Sequence, residues 1–219
     1  MKNDEVLQRD VEAAIGWEPI LNIAEIGVTS TDSIVTLTGV VDSYLKKTKA
    51  EDAARKVAGV KAVIEKIEVK FINPNERTDN EIAREVLDSL KSNWEVPYQR
   101  IKVKVEDGWV TLEGDVEWNF QKEAIKNAVR NLEGVKVLTN DIRVQPKTID
   151  EIEEGTIEQA LQRNWSMANQ DISVSILNNN VTLNGTVNSY FQKEEAERIA
   201  WKAPGVWTVK NELVIDFKD

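Results

Sequence analysis

Apolar residues along the chain follow two spacings in turn, and the same order of spacings recurs three times. Each cycle begins with helical spacing, over residues 4–16, 79–93 and 150–164. Two segments of strict apolar–polar alternation follow, which predict half-buried β-strands. The inward-facing positions of these strands are Ile26, Val28, Val35 and Leu37; Ile101, Val103, Val105, Val110 and Leu112; and Ile172, Val174, Ile176, Val181 and Leu183. A second helix and a closing strand complete each cycle, so the predicted order is αββαβ.

Short polar segments separate the elements. Residues 31–33, 106–108 and 177–179 carry Asp, Asn, Ser or Gly and predict hairpin turns between the paired strands. Asp, Ser or Asn near the start of each second helix can accept bonds from its first N–H groups. Each second helix is predicted to end at the glycine of a later Gly-Val pair, which suits a left-handed cap. The closing strands are predicted to begin at Ile67, Ile142 and Leu213.

Three further landmarks, in register with the starts of the closing strands, confirm the repeat. Val-Thr-Leu-x-Gly occurs three times and ends at Gly39, Gly114 and Gly185. A Gly-Val pair follows 20 residues later, beginning at Gly59, Gly134 and Gly205. A tryptophan precedes each first glycine by 20 to 22 residues, at Trp17, Trp94 and Trp165. Isolated glycines in this register are typical of turns and caps rather than of a phosphate-binding loop.

The pattern predicts an α+β protein of three tandem αββαβ modules, each with a small three-stranded mixed sheet and two helices on one face. The expected modules span residues 1–72, 78–146 and 149–218, with Pro74 and Pro146 in the short linkers.

These landmarks resemble the BON domain, a bacterial module of osmotically inducible periplasmic proteins. The segment Trp17-Glu18-Pro19, followed by Ala24-Glu25-Ile26-Gly27-Val28, is most similar to soluble, three-copy OsmY-like members. The resemblance implies phospholipid binding, a role in osmotic or envelope stress and no catalytic residues. The N-terminus predicts no signal peptide, so we expect a cytoplasmic protein, with peripheral attachment to the inner membrane as an alternative.

Composition narrows the chemistry further. The chain has no Cys and no His, which removes thiol catalysis, the usual general base and the commonest metal ligand. Its net charge of −10 argues against nucleic acid as a partner. No segment has the roughly 18 apolar residues of a membrane span. We therefore expect no enzyme activity, no metal and no cofactor.

The middle module carries the strongest candidate for a binding surface. Its sheet is predicted to present cations and one tryptophan on the face away from the helices, namely Arg100, Lys102, Lys104, Trp109 and Arg143. Such a face suits an anionic headgroup surface. The alternative is a solvated edge or a contact with a neighbouring acidic module.

Secondary candidates lie at the start of the middle module's second helix, where Trp118 replaces a serine and Lys122 recurs as Lys47 and Lys193. The repeated tryptophans are predicted to cover the edge of each core, with interfacial anchoring as the alternative. Two functions follow: association with anionic phospholipid surfaces, or a scaffold that binds protein partners.

Overall fold

The computed structural model describes residues 3–71, 77–146, 154–167 and 170–216. Pro74, the start of the third module's first helix predicted at Asp150, and the module ends predicted at residues 72, 149 and 218 lie outside these ranges. Within them the chain is α+β, with six α-helices and three mixed sheets.

Each module has the predicted order αββαβ. The first consists of α1 (Asp4–Gly16), β1 (Ile26–Thr31), β2 (Ile34–Val41), α2 (Tyr44–Arg55) and β3 (Ala62–Val69). The second consists of α3 (Asp79–Ser92), β4 (Ile101–Glu106), β5 (Trp109–Val116), α4 (Asn119–Arg130) and β6 (Val137–Val144). The third consists of α5 (Glu154–Arg163), β7 (Asp171–Leu177), β8 (Asn180–Val187), α6 (Tyr190–Ala200), β9 (Thr208–Asn211) and β10 (Val214–Ile215).

The sheets confirm the predicted topology. In each module the second strand is central, antiparallel to the first and parallel to the closing strand. The hairpin turns have positive φ at both central residues, for example 53° at Asp32 and 64° at Ser33. This is the turn geometry that matches the right-handed twist of paired strands. The register therefore keeps one face of every sheet apolar, and that face packs against the two helices.

A carboxylate at the start of the first helix fastens the hairpin in two modules. The carboxylate of Asp4 accepts the N–H groups of Asp32 at 2.9 Å and Ser33 at 3.0 Å. These hydrogen bonds hold the pKa of Asp4 below its usual value, with the Ser33 N–H as the largest cause. Asp79 accepts the N–H groups of Asp107 and Gly108 in the same way. Helix and hairpin are thus joined at the end of the module opposite to its tryptophan.

Two boundary predictions are wrong. The closing strands begin at Ala62, Val137 and Thr208, five residues before the apolar residues at which the sequence placed their starts. The first residues of β3, Ala62-Val63-Ile64, are apolar but do not alternate with polar ones, so the period-2 pattern marked only the buried residue Ile67. The second helices end at Arg55, Arg130 and Ala200, before the capping glycines, and a short turn joins each helix end to its glycine. The closing strand of the third module is also interrupted, between β9 and β10.

The modules have separate cores but touch one another. Each core cluster is drawn from one module, except that Tyr44, at the start of α2, packs against the core of the second module. The hydroxyl of Tyr190, the equivalent residue in α6, donates to the carbonyl of Lys61 in the first module. Arg55 and Glu194 join α2 to α6, with 3.7 Å between their nearest charged atoms.

Candidate functional site

The repeated tryptophans are the most exposed large apolar residues of the described chain. Trp17, Trp94 and Trp165 each lie in the loop after the first helix of a module, and they are 87%, 89% and 87% exposed. The prediction that they cover the core edge is wrong. The apolar stripe of α3 explains the error, because Ile82, Val86 and Leu90 would continue to Trp94 if the helix did not end at Ser92.

Local hydrogen bonds hold these loops in place. The side-chain oxygen of Asn93 accepts the N–H of Glu95 at 3.0 Å, and that of Asn164 accepts the N–H of Ser166 at 3.0 Å. Each tryptophan in the second and third modules therefore sits at the tip of an Asx-type turn. The first module has no such asparagine, and there the Trp17 N–H donates to the carbonyl of Ala13 at 3.1 Å.

The first module adds further apolar surface beside its tryptophan. Ile20 and Ile23, in the segment between α1 and β1, are 40% and 49% exposed. A cluster of three exposed apolar residues on one short segment is costly in water unless something else covers it. The loop after α1 is therefore a candidate contact surface together with its equivalents in the other modules.

The middle module's outer sheet face contains the five residues that the sequence predicted. Alternation along β4, β5 and β6 places four of them on the side away from the helices, and Arg100 directly precedes β4. The register aligns Lys102 with Glu113 and Asp115 with Arg143. Trp109 is 53% exposed, and its indole N–H donates to the hydroxyl of Thr139 at 2.8 Å. The five residues that the sequence singled out are therefore neighbours on one surface.

Carboxylates offset the charge of this face. Arg100 pairs with Glu117 at 3.1 Å, Lys104 with Glu106 at 2.9 Å, and Arg143 with Asp115 at 3.0 Å. Lys102 lies across from Glu113, beyond which Asp141 continues the same row. The parity that turned the cations outward turns Glu113, Asp115 and Asp141 outward as well. The face is a mixed-charge surface rather than a basic one.

The two secondary candidates, Trp118 and Lys122, differ from their equivalents in the other modules in the hydrogen bonds that they make. Trp118 occupies the N-cap position of α4 and makes no side-chain cap; the side-chain oxygen of Gln121 instead accepts the N–H groups of Glu117 and Trp118. Lys47 and Lys193 donate to the carbonyls of Ile67 at 2.9 Å and Leu213 at 2.7 Å, so they fasten the second helix to the closing strand. Lys122, their equivalent, makes no side-chain bond within the described residues.

The repeated glycines have a structural explanation in this fold. Gly114 has φ of +147°, and a Cβ there would lie 2.3 Å from the carbonyl oxygen of Arg100. Gly39 and Gly185 face the same obstacle from Glu25 and Asp171. Only a residue without a side chain allows the first strand to approach the second so closely.

A polar cavity of about 260 Å³ lies where helices from all three modules meet. Its lining includes Arg55, Arg130 and Glu194, with the buried Nε of Arg130 lacking a hydrogen-bond acceptor within the described chain. Burial raises the pKa of Glu194, and Arg55 lowers it in part. Acidic and basic residues alternate around this cavity, so it has no net preference for either charge. Within the same described ranges, no group of Asp and Glu residues has the arrangement of a metal site.

Three tandem αββαβ units, each with a mixed sheet covered by two helices on one face, define a repeat protein of small α+β domains. The chain belongs to the BON domain family, whose signature matches residues 3–70, 78–146 and 150–216. It is similar to "Osmotically-inducible protein Y" of Escherichia coli (strain K12), at 26% identity over 147 residues, which cover 65% of this chain and 73% of that protein.

Solved structures with some similarity come from the type III secretion system of Chlamydia trachomatis. The C-terminal domain of CdsD is 17% identical, with 99% of this chain and 100% of that chain covered, at a TM-score of 0.26. A second CdsD structure is 18% identical, with 96% and 92% covered, at a TM-score of 0.25. Scores this low carry no argument about this protein.

Proposed function

We propose that this chain is a non-enzymatic tandem BON protein that associates with phospholipid membrane surfaces through the tryptophans of its three modules. The observation that carries this proposal is the exposure of Trp17, Trp94 and Trp165, at 87–89%. The three side chains occupy the same structural position, and packing within the modules does not account for any of them. Across the described ranges, every helix is too short or too polar to cross a bilayer, so the proposed contact is with the surface.

Tryptophan is well suited to this contact. Its ring is apolar and its indole N–H is polar, and such side chains concentrate at the headgroup level of membranes. Complete burial of a large apolar side chain stabilises by about 1.5–3 kcal/mol, so partial insertion of one ring contributes about 1.5 kcal/mol. That energy corresponds to about a tenfold gain in affinity per ring, and rings that engage together multiply their effects.

Charge has a secondary role in this proposal. The net charge of −10 repels an anionic surface, and the cations at Arg100, Lys104 and Arg143 already pair with carboxylates. A headgroup phosphate can displace those carboxylates at small cost, because exposed ion pairs of this kind are worth at most about 1 kcal/mol. We therefore propose a modest preference for anionic lipid at the middle module, sensitive to salt, on top of binding that depends on tryptophan.

The proposed setting is osmotic stress. The relative from Escherichia coli is named for its osmotic induction, and this chain shares with it the family and 26% identity over 147 residues. Induction of the gene by high osmolarity, measured as transcript level, tests this part independently of lipid binding.

The first experiment is co-sedimentation of the whole chain with vesicles of neutral phosphatidylcholine and with vesicles that contain anionic phosphatidylglycerol. We expect binding to both, stronger to the anionic vesicles at low salt. Replacement of Trp17, Trp94 and Trp165 by alanine should abolish it, whereas the matched control Leu177→Ala, at an apolar residue 74% exposed on a hairpin, should bind normally. Charge reversal at Arg100, Lys102 and Lys104 should remove only the anionic preference. Equal binding by the triple alanine variant and the native chain would refute the proposal.

The second candidate function is a scaffold for protein partners. The outer sheet face of the middle module favours it, because this face presents exposed Trp109 together with cations and carboxylates. An aromatic centre within a polar rim is typical of protein interfaces. Absence of vesicle binding at low salt would favour this function, and Trp109→Ala would then be the variant to compare in partner capture.

A further inference from the structure

The second and third modules enclose a cleft of about 680 Å³ between them. Its walls are mainly apolar and come from both modules. Val144 and Pro146, at the end of β6 and just after it, lie on one side, and Trp201, Trp207 and Val209 lie on the other. The volume is in the range of pockets that hold small organic molecules.

Equivalent residues differ at the helix that borders the cleft. Tyr44 begins α2 and packs against the second module, whereas Tyr190 begins α6 and donates its hydroxyl to the carbonyl of Lys61, just before β3 of the first module. The residue that begins α4 is Asn119, which has no ring. Tyr44 packs close to Leu138, and the counterpart of Leu138 in the third module is Val209, which lines the cleft. By this equivalence, a tyrosine at position 119 is expected to extend toward Val209, one of the residues that line the cleft.

The charge of the cleft is opposite to that of the protein. The described residues that line it include two cations, Lys122 and Arg143, and no carboxylate, whereas the chain as a whole carries −10. The ammonium group of Lys122 has no partner in the described residues, although Lys47 and Lys193 each donate to a main-chain carbonyl. The Arg143 side chain pairs with Asp115 and is still 72% exposed. The lining suits an occupant that is both apolar and anionic.

We propose that this cleft binds small amphipathic carboxylates. The apolar body would lie against Trp201 and Trp207, and the carboxylate would lie beside Lys122, with Arg143 as a second donor at the rim. A guanidinium and an ammonium group both form strong charge-assisted bonds to a carboxylate. Neither tryptophan is one of the three repeated residues, so the inference does not depend on membrane association.

The test uses the whole chain and octanoate as the probe, with binding followed by calorimetry and by tryptophan fluorescence. We expect saturable binding of octanoate and little binding of octylammonium or octyl glucoside, which have the same apolar body with a positive or no charge. A second anion, 1-naphthoate, tests whether an aromatic body is preferred.

Two variants locate the site. Asn119→Tyr places in α4 the residue found in α2 and α6, and we expect at least a tenfold loss of octanoate affinity. Lys122→Glu should cause a similar loss and raise the affinity for octylammonium, whereas the matched control Lys91→Glu, on the exposed side of α3, should change neither. Circular dichroism checks that each variant is folded. If Asn119→Tyr does not fold, the octanoate affinity of Lys122→Glu alone tests the proposal. Unsaturable octanoate binding, equal binding of all three probes, or affinity unchanged in Lys122→Glu would overturn the proposal.

Discussion

Tyr44 should determine whether the first and second modules unfold together. Its ring is half-buried against the second module's core, and it lies on the surface of the first module. Burial is the main cause that raises the pKa of its hydroxyl. Replacement by alanine therefore removes a contact between modules and leaves the core of each module complete.

The coupling free energy lost in Tyr44→Ala follows from the area that the ring buries. A tyrosine side chain buries about 200 Å² when fully covered, so a half-buried ring removes about 100 Å² from water. At 25 cal/mol per Å², Tyr44→Ala should cost about 2.5 kcal/mol of coupling between the two modules. Asn119→Ala, at the equivalent position in the second module, is the matched control and should cost less than about 0.5 kcal/mol.

The assay is urea unfolding followed by circular dichroism and by tryptophan fluorescence. In the native chain we expect the two probes to give coincident transitions, because coupled modules unfold cooperatively. In Tyr44→Ala we expect the transitions to separate, with the first module unfolding at lower urea. Coincident transitions at an unchanged midpoint would refute the inferred packing of Tyr44 on the second module.

Further predictions concern single contacts. Gly114→Ala should destabilise the chain by about 3 kcal/mol, because φ is +147° and the new Cβ meets a carbonyl, whereas Gly155→Ala, with open space around it, should stabilise by about 0.5–1 kcal/mol in thermal unfolding. Lys193→Met should cost about 1 kcal/mol through its lost bond to Leu213, and Lys122→Met should cost nothing measurable by the same method. Burial raises the pKa of Glu194, so its ionised form opposes folding above the folded pKa and this penalty disappears as pH falls toward the unfolded pKa. Glu194→Gln should therefore be slightly more stable than the native chain at about pH 7, by less than about 0.5 kcal/mol because the side chain is 52% exposed, and the two should converge at about pH 4 in urea unfolding.

Local patterns were sufficient to predict the fold. Alternation within β1 and β2 determined which residues face the helices, and Asp32-Ser33 supplied a turn with positive φ at both positions. Three copies of the pattern made each assignment a test of the others. Element boundaries were less predictable, since the first residues of β3 are consecutive apolar residues that lack the alternation expected of a half-buried strand.

The candidate sites were harder to predict. The apolar stripes of α3 and α5 extend to Trp94 and Trp165 by spacing, and only the ends of those helices turn the two rings into solvent. Asn93 and Asn164, just before them, were the available signal, because asparagine at that place predicts a turn. The cleft between the second and third modules could not be predicted at all, since it depends on how separate modules pack.

The three copies also separate structural from functional positions. A position that recurs because it holds the module together should be buried or bonded, as Gly114 and Lys193 are. The repeated tryptophans recur and are exposed, so the stability of the modules does not explain why that position is tryptophan each time. A position that differs in one copy shows where the modules have diverged, as Asn119 does at the start of α4. Recurrence with exposure supports the membrane proposal, divergence at an interface supports the carboxylate proposal, and each can fail without the other.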